Sequence, residues 1–264
     1  MGKVLNTRLI TSAIFAAVML SSWYVGGMAW WLLSAVVVII GCDEIIRLAD
    51  LKRLDVAWWI AELAGMGFLL SQADTFSPFS VLLAGLFAAL LLPVALENRV
   101  SVIQMAWALF GALYVGLLMR YGVALREEED GRFWVLLTLL TTWAADSAAY
   151  LGGSLLKGPK LWPRVSPGKT ITGAVTGAIG AVIVAMAFAA WLRPALPLAT
   201  VALWGVLIFV AGLLGDLSES AVKRVWGKKD AGRLLPGHGG VLDRFDSLLF
   251  AFPAAYYLLE VGLL

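Results

Sequence analysis

An all-α, polytopic membrane protein is the fold class this sequence predicts. Charged residues make up 14% of the chain and hydrophobic ones 61%, whereas soluble domains carry about one quarter charged residues. Mean hydropathy is +0.88, so the main solvent is lipid. The apolar residues run continuously instead of alternating. In a bilayer every backbone polar group must be satisfied within the chain, and continuous runs satisfy it as helices, not as barrel strands.

With about 20 residues to a span, nine apolar segments can be drawn: 9–25, 29–46, 56–72, 78–96, 101–119, 133–154, 171–191, 199–222 and 246–263. The first follows Lys3 and Arg8 but lacks a small-x-small cleavage site before the next run, so it reads as a span and not a signal peptide. Charge placement gives the orientation. A cytoplasmic N-terminus leaves sixteen of the twenty Lys and Arg inside and only Arg120, Arg126, Arg132 and Arg193 outside. The longest polar interval lies between the last two spans, which leaves no room for a soluble domain. Residues 1–264 thus read as one membrane domain, with 1–120 a helical scaffold offering few polar groups at membrane depth and 133–264 the catalytic helices and cytoplasmic loops. The single cysteine, Cys42, excludes an intrachain disulfide and reads as a packing residue.

Polar residues concentrate in the last third. Asp216, Glu219, Ser220 and Lys223 lie at offsets 0, 3, 4 and 7, on one face of the eighth span. A carboxylate at membrane depth costs about 3 kcal/mol on insertion scales, so Asp216 should face the protein interior beside a cation or metal. A structural ion pair with Lys223 is the plain alternative. Then comes WGKKDAGRLLPGHGGVLDRFD, rich enough in glycine to bring backbone N–H groups close to phosphate oxygens. Asp243 and Asp246 open the ninth span three residues apart, where either could simply cap a helix. With Asp216 they form a set of hard oxygen donors of the kind Mg²⁺ takes. His238, the only histidine, sits among glycines and suits phosphate contact or proton transfer. Asp146, with Tyr150 four residues on, is a further possible metal ligand, and a plain buried pair accounts for it as well. The loops 155–170 and 223–246 hold ten basic residues against Asp230, Asp243 and Asp246. The positive-inside bias alone can produce that excess.

The run from Ser220 to Asp246, SAVKRVWGKKDAGRLLPGHGGVLDRFD, resembles the signature of the phosphatidate cytidylyltransferase family through Ser220, Lys223, Arg224, Lys229, Asp230, Pro236, His238, Gly239, Gly240, Asp243, Arg244 and Asp246. TTWAADSAAYLGG, with Trp143, Asp146, Ala149, Tyr150 and Gly152, is similar to a second family region. VSPGKTITG resembles a third at Ser166, Pro167, Lys169, Thr170 and Gly173, departing from it at Gly168, where a basic residue is usual, and at Thr172, where glutamate is. The resemblance implies transfer of a cytidylyl group from CTP to phosphatidate, giving CDP-diacylglycerol and pyrophosphate, with Mg²⁺ and also K⁺ at the site. It further implies a bacterial-type inner membrane with the active site facing the cytoplasm, a homodimer, and no nucleic-acid partner.

On this reading Asp216, Asp243 and Asp246 hold metal, and Lys223, Arg224 and Arg244 offset charge on the departing pyrophosphate. The amides of Gly239 and Gly240 are further donors, and Ser166, Lys169, Thr170, Ser220 and Lys229 contact substrate phosphate. Two rivals stay open: a transporter using Asp146 and Asp216 as ion-pathway residues, and a CTP-dependent kinase of a polyprenol-type lipid.

Overall fold

The computed structural model describes residues 2–73, 77–235, 237 and 239–262, with side chains from Ile10 onward except at Ala73. Each expected apolar segment falls on a helix. These are α1 (Gly2–Val25), α2 (Gly27–Leu48), α3 (Val56–Leu70), α4 (Pro78–Ala95), α5 (Val102–Gly111) continued by a π-helical stretch (Ala112–Leu117) into α6 (Leu118–Glu127), α7 (Gly131–Leu156), α8 (Ile171–Leu192), α9 (Leu198–Val225) and α10 (Leu242–Glu260). The chain is an all-α membrane protein. Among the described residues, five helices are long and apolar enough to cross a bilayer: α2, α4, the continuous Val102–Glu127, α8 and α9. Ile10–Val25 within α1 and Val56–Leu70 of α3 are apolar but shorter. α3 has 15 residues, and the 19 residues of α10 include Asp243, Arg244, Asp246 and Glu260.

The helices form two compact units, Met1–Ala124 with Trp226–Phe245, and Leu125–Val225 with Asp246–Leu264. The glycine-rich segment after α9 therefore belongs with the first half of the chain.

In the first unit, Gly26 and Gly27 adopt positive φ, 67° and 49°, and turn the chain between α1 and α2. Ser77 caps α4, accepting from the Ser80 N–H at 3.2 Å, with Pro78 in the first turn, where its missing N–H costs nothing. Ser101 and Gln104 form a reciprocal capping box for α5, at 3.1 and 2.7 Å. The fifth helix outruns its expected end at residue 119 because its polar tail is held: Arg120 Nε donates to Ser71 Oγ at 3.1 Å and Trp30 Nε1 to the Gly122 carbonyl at 2.8 Å. α3 crosses the π-helical stretch in backbone contact, since a Cβ on Gly116 would lie 2.6 Å from Gly65 Cα. Lipid tails offer no hydrophobic drive between helices, so such small-residue crossings carry the packing. Cys42 is buried, its Sγ 3.7 Å from the Gly111 carbonyl. Four polar residues of this half, Ser34, Asp43, Glu44 and Glu62, are buried.

In the second unit α8 packs against α7 and α9. Small residues again set the distance: a Cβ on Gly180 would stand 2.6 Å from the Ala148 Cβ, and one on Gly205 2.9 Å from Val182 Cα. The expected loop 155–170 contains an antiparallel hairpin, β1 (Lys160–Trp162) and β2 (Ser166–Thr170), with Lys160 opposite Thr170 and Trp162 opposite Ser166. Its turn is too short and too polar for hydropathy to reveal.

Gly116→Ala is expected to cost about 1–3 kcal/mol of stability, as overpacking against backbone does, and to lower the thermal midpoint of the purified protein in detergent. Gly168→Ala, where an added Cβ meets nothing within 4 Å, should leave that midpoint unchanged.

Candidate active site

The face of α9 assembles as its spacing predicts, but its partners differ from the simplest pairing. Asp216 is met by Lys169, which reaches across from β2: Lys169 Nζ donates to Asp216 Oδ2 at 2.5 Å, and Ser220 Oγ to Oδ1 at 3.3 Å. Lys223 instead donates to Glu219 Oε2, one turn away, at 2.5 Å. The two pairs differ in access. The side chains of Lys169 and Asp216 are 23% and 30% exposed, whereas those of Lys223 and Glu219 are 10% and 0%. The first can meet a ligand; the second is sealed into the packing.

Asp246 lies beside the same face. Gly215 permits this, because a Cβ there would overlap the Asp246 carbonyl, and Gly212 leaves 3.5 Å to the Ser247 Cβ. Asp216, Glu219 and Asp146 are near enough for their charges to act on Asp246. Its Oδ1 accepts the Ser247 N–H at 2.7 Å. Asp146 and Tyr150 are exposed on α7.

The hairpin supplies Lys169 and also starts α8. Thr170 is buried and caps that helix, accepting the Gly173 N–H at 3.0 Å. Thr172 Oγ1 accepts the Gly158 N–H at 3.2 Å, so the residue standing in place of glutamate ties the hairpin's entry to its exit. Ser166 is half-buried and Gly168 exposed. Arg224 is exposed, and its Nε donates to the Val165 carbonyl at 3.3 Å.

In the first unit the glycine-rich loop is braced at three points. Lys228 Nζ donates to the Arg47 and Leu48 carbonyls at 2.8 and 3.0 Å and to Asp50 Oδ1 at 2.5 Å. That is a cation satisfying the open carbonyls at the end of α2. Asp243 Oδ2 accepts the N–H groups of Ala231 at 2.9 Å and Gly240 at 2.7 Å. Glu44, from α2, accepts Val241 N–H on Oε1 at 3.0 Å and Leu242 N–H on Oε2 at 2.8 Å. Gly239 has φ of 83°, and a Cβ on it would stand 2.5 Å from Asp243 Oδ2. The Gly240 amide, expected to face phosphate, is thus turned to Asp243. Lys229 and Arg244 are exposed. His238 lies outside the described residues.

Sequence reasoning passed over Glu44, Asp43 and Lys228 and gave Glu219 no task. Asp43 accepts from Trp58 Nε1 at 2.9 Å and pairs with Arg47 and Arg53. The available signal was GCDEIIR, two acids inside an apolar run.

These features define a membrane protein that organises paired charges on its helices and along one glycine-rich loop. A model of the cytidylyltransferase family matches residues 6–262. Over 264 residues the chain is 32% identical to a Bacillus subtilis (strain 168) protein named phosphatidate cytidylyltransferase, covering 97% of this chain and 98% of that one. Same-named proteins of Staphylococcus haemolyticus (strain JCSC1435) and Staphylococcus aureus (strain COL) are 34% and 33% identical, each over 97% of this chain and 99% of their own. The chain belongs to the cytidylyltransferase family and is a nucleotidyltransferase that uses CTP.

The two lysine pairs should respond differently to substitution. Lys223→Met takes the ammonium away from the buried Glu219 and is expected to cost about 3–5 kcal/mol, read as loss of folded protein on detergent gel filtration. Lys169→Met, at a part-exposed pair, should leave the elution profile intact.

Proposed function

We propose that this protein catalyses CTP + phosphatidate → CDP-diacylglycerol + pyrophosphate. The observation that carries the reading is the partly exposed Asp216, held by Lys169 and Ser220 beside Asp246, in a chain related over nearly its full length to proteins named for this reaction.

The lipid phosphate needs little activation. A phosphate monoester with a second pKa of about 6 is largely dianionic at neutral pH, so no strong base is required. The protein's task is to align two anions and offset charge at the α-phosphorus. Asp216, Glu219 and Asp146 are near enough for their charges to act on Asp246, with Lys169 paired to Asp216 and Lys223 to Glu219, and such a local set of carboxylates fits a divalent cation. Among the described residues no three Asp, Glu, His or Cys side chains group tightly enough to enclose a metal. That suits Mg²⁺, which takes one or two protein carboxylates and completes its shell with water and substrate phosphate.

Asp216 and Asp246 would hold the ion in the second unit, and in the first unit Asp243 is a carboxylate of the same kind. Mg²⁺ supplies Lewis-acid polarisation and a template for phosphate oxygens. Lys169 keeps Asp216 oriented until substrate arrives and then turns its ammonium to phosphate. Arg224 in the second unit, and Lys229 and Arg244 in the first, are exposed cations that would draw anionic substrates. The basic loops face the cytoplasm, with nine spans and the N-terminus inside, so CTP arrives from water while the acyl chains stay in the bilayer.

In detergent with radiolabelled CTP, phosphatidate and Mg²⁺, the wild type should form labelled CDP-lipid, and chelation with EDTA should stop it. Asp216→Asn should lower the rate by at least about a hundredfold, the scale of losing one transition-state contact. A wild-type rate in that variant would contradict the role given to Asp216.

A further inference from the structure

Between Asp146 and Asp216 the chain carries no Asp or Glu, and the hairpin of β1 and β2 lies within that stretch. Lys157, Lys160 and Arg164, in the hairpin and just before it, are exposed. Lys169 is already paired with Asp216, whereas no acidic side chain meets the other three among the described residues. The positive-inside bias accounts for basic residues at a helix end, but not for the apolar side chains exposed beside them. Leu155 and Leu156, which end α7, are 77% and 63% exposed, and Trp162 of β1 is 47% exposed.

The hairpin is held at the bilayer surface. α8 and α9 are each long and apolar enough to cross a membrane and are joined by residues 193–197 alone, so the start of α8 and the end of α9 share a side. The hairpin runs directly into the start of α8, where the Ile171 N–H donates to the Pro159 carbonyl at 2.8 Å. Arg224, in the last turn of α9, ties it to the other helix through the Val165 carbonyl. The tip is a four-residue turn, closed from the Val165 N–H to the Trp162 carbonyl at 3.2 Å, with Pro163 in its second position. At this level leucines suit acyl chains, an indole suits the boundary between apolar and polar layers, and cations reach lipid phosphate.

We infer that the end of α7 and the hairpin form a docking surface for anionic phospholipid headgroups of the surrounding leaflet, held there and not consumed. A phosphodiester headgroup with net negative charge, such as that of phosphatidylglycerol, complements the three unpaired cations. A zwitterionic headgroup brings the same phosphate, but its own ammonium cancels the charge.

Gly168 takes a probe without disturbing the surface, since it is exposed and an added Cβ meets nothing within 4 Å. The one native thiol, Cys42, is buried. The full-length Gly168→Cys protein, carrying a fluorophore there, is placed in phosphatidylcholine nanodiscs without CTP. Nitroxide-bearing phosphatidylglycerol, phosphatidylcholine or phosphatidate is included at equal mole fraction, and quenching reports which lipid lies beside the hairpin. Phosphatidylglycerol should be enriched over phosphatidylcholine about fivefold, the scale of one basic residue at an anionic membrane surface. Lys157→Gln, Lys160→Gln and Arg164→Gln together should abolish that preference. If the triple variant does not fold, salt decides with the charges intact: about 1 M KCl, where the Debye length is about 3 Å, should remove it. Equal quenching by phosphatidylglycerol and phosphatidylcholine would overturn the inference, as would a preference that survives loss of the three charges or, in that second case, high salt. Enrichment of phosphatidate alone would make the hairpin part of the substrate's path and would overturn it too.

Discussion

A carboxylate buried inside a lipid-solvated protein has little water to turn to, and this requirement governs the placement of Asp43, Glu44 and Glu219, whereas the buried Glu62 oxygens have no hydrogen-bond partner among the described residues. A buried charge must be paired or hydrogen-bonded or it costs several kcal/mol. Asp43 meets two arginines and an indole N–H. Glu44 meets two backbone amides, and Glu219 meets Lys223. Asp216 is the exception in kind, because its pair with Lys169 stays partly open. An enzyme acting on two anions needs an opening of that sort.

Glycine does the complementary work. Where side chains would keep helices apart, Gly65 and Gly116 in the first unit and Gly180 and Gly215 in the second bring backbones or carboxylates within reach. Gly239 and Gly240 do the same inside the loop, for Asp243 and Glu44. The glycines of the signature thus read here as space for two carboxylates as much as a cradle for phosphate, and the Gly240 amide is already committed to Asp243.

The helices and the acidic face of α9 were legible in the sequence because both depend on periodicity alone, apolar run length for the one and offsets of three and four for the other. The family signature was legible for the same reason: it is local. What escaped was long-range. That Asp216 pairs with Lys169 and not Lys223 depends on a hairpin returning from α7 to α8, and no spacing rule reaches across 47 residues. Glu44 escaped for a related reason: it looks like a stray acid in an apolar run until Val241 and Leu242 are placed against it, 197 and 198 residues later. The hairpin itself was hidden in a stretch read as a basic loop.

The central claim is that charge is organised here to move a cytidylyl group onto a lipid phosphate, not to pass an ion or to transfer a terminal phosphate. The most direct test gives the purified protein CTP labelled at either the α- or the γ-phosphorus, together with phosphatidate and Mg²⁺, and asks which label enters the lipid phase. The account predicts α-label in the lipid and γ-label released as pyrophosphate. γ-Label in the lipid would make the protein a kinase, and no label in the lipid from a folded preparation would contradict the transferase altogether.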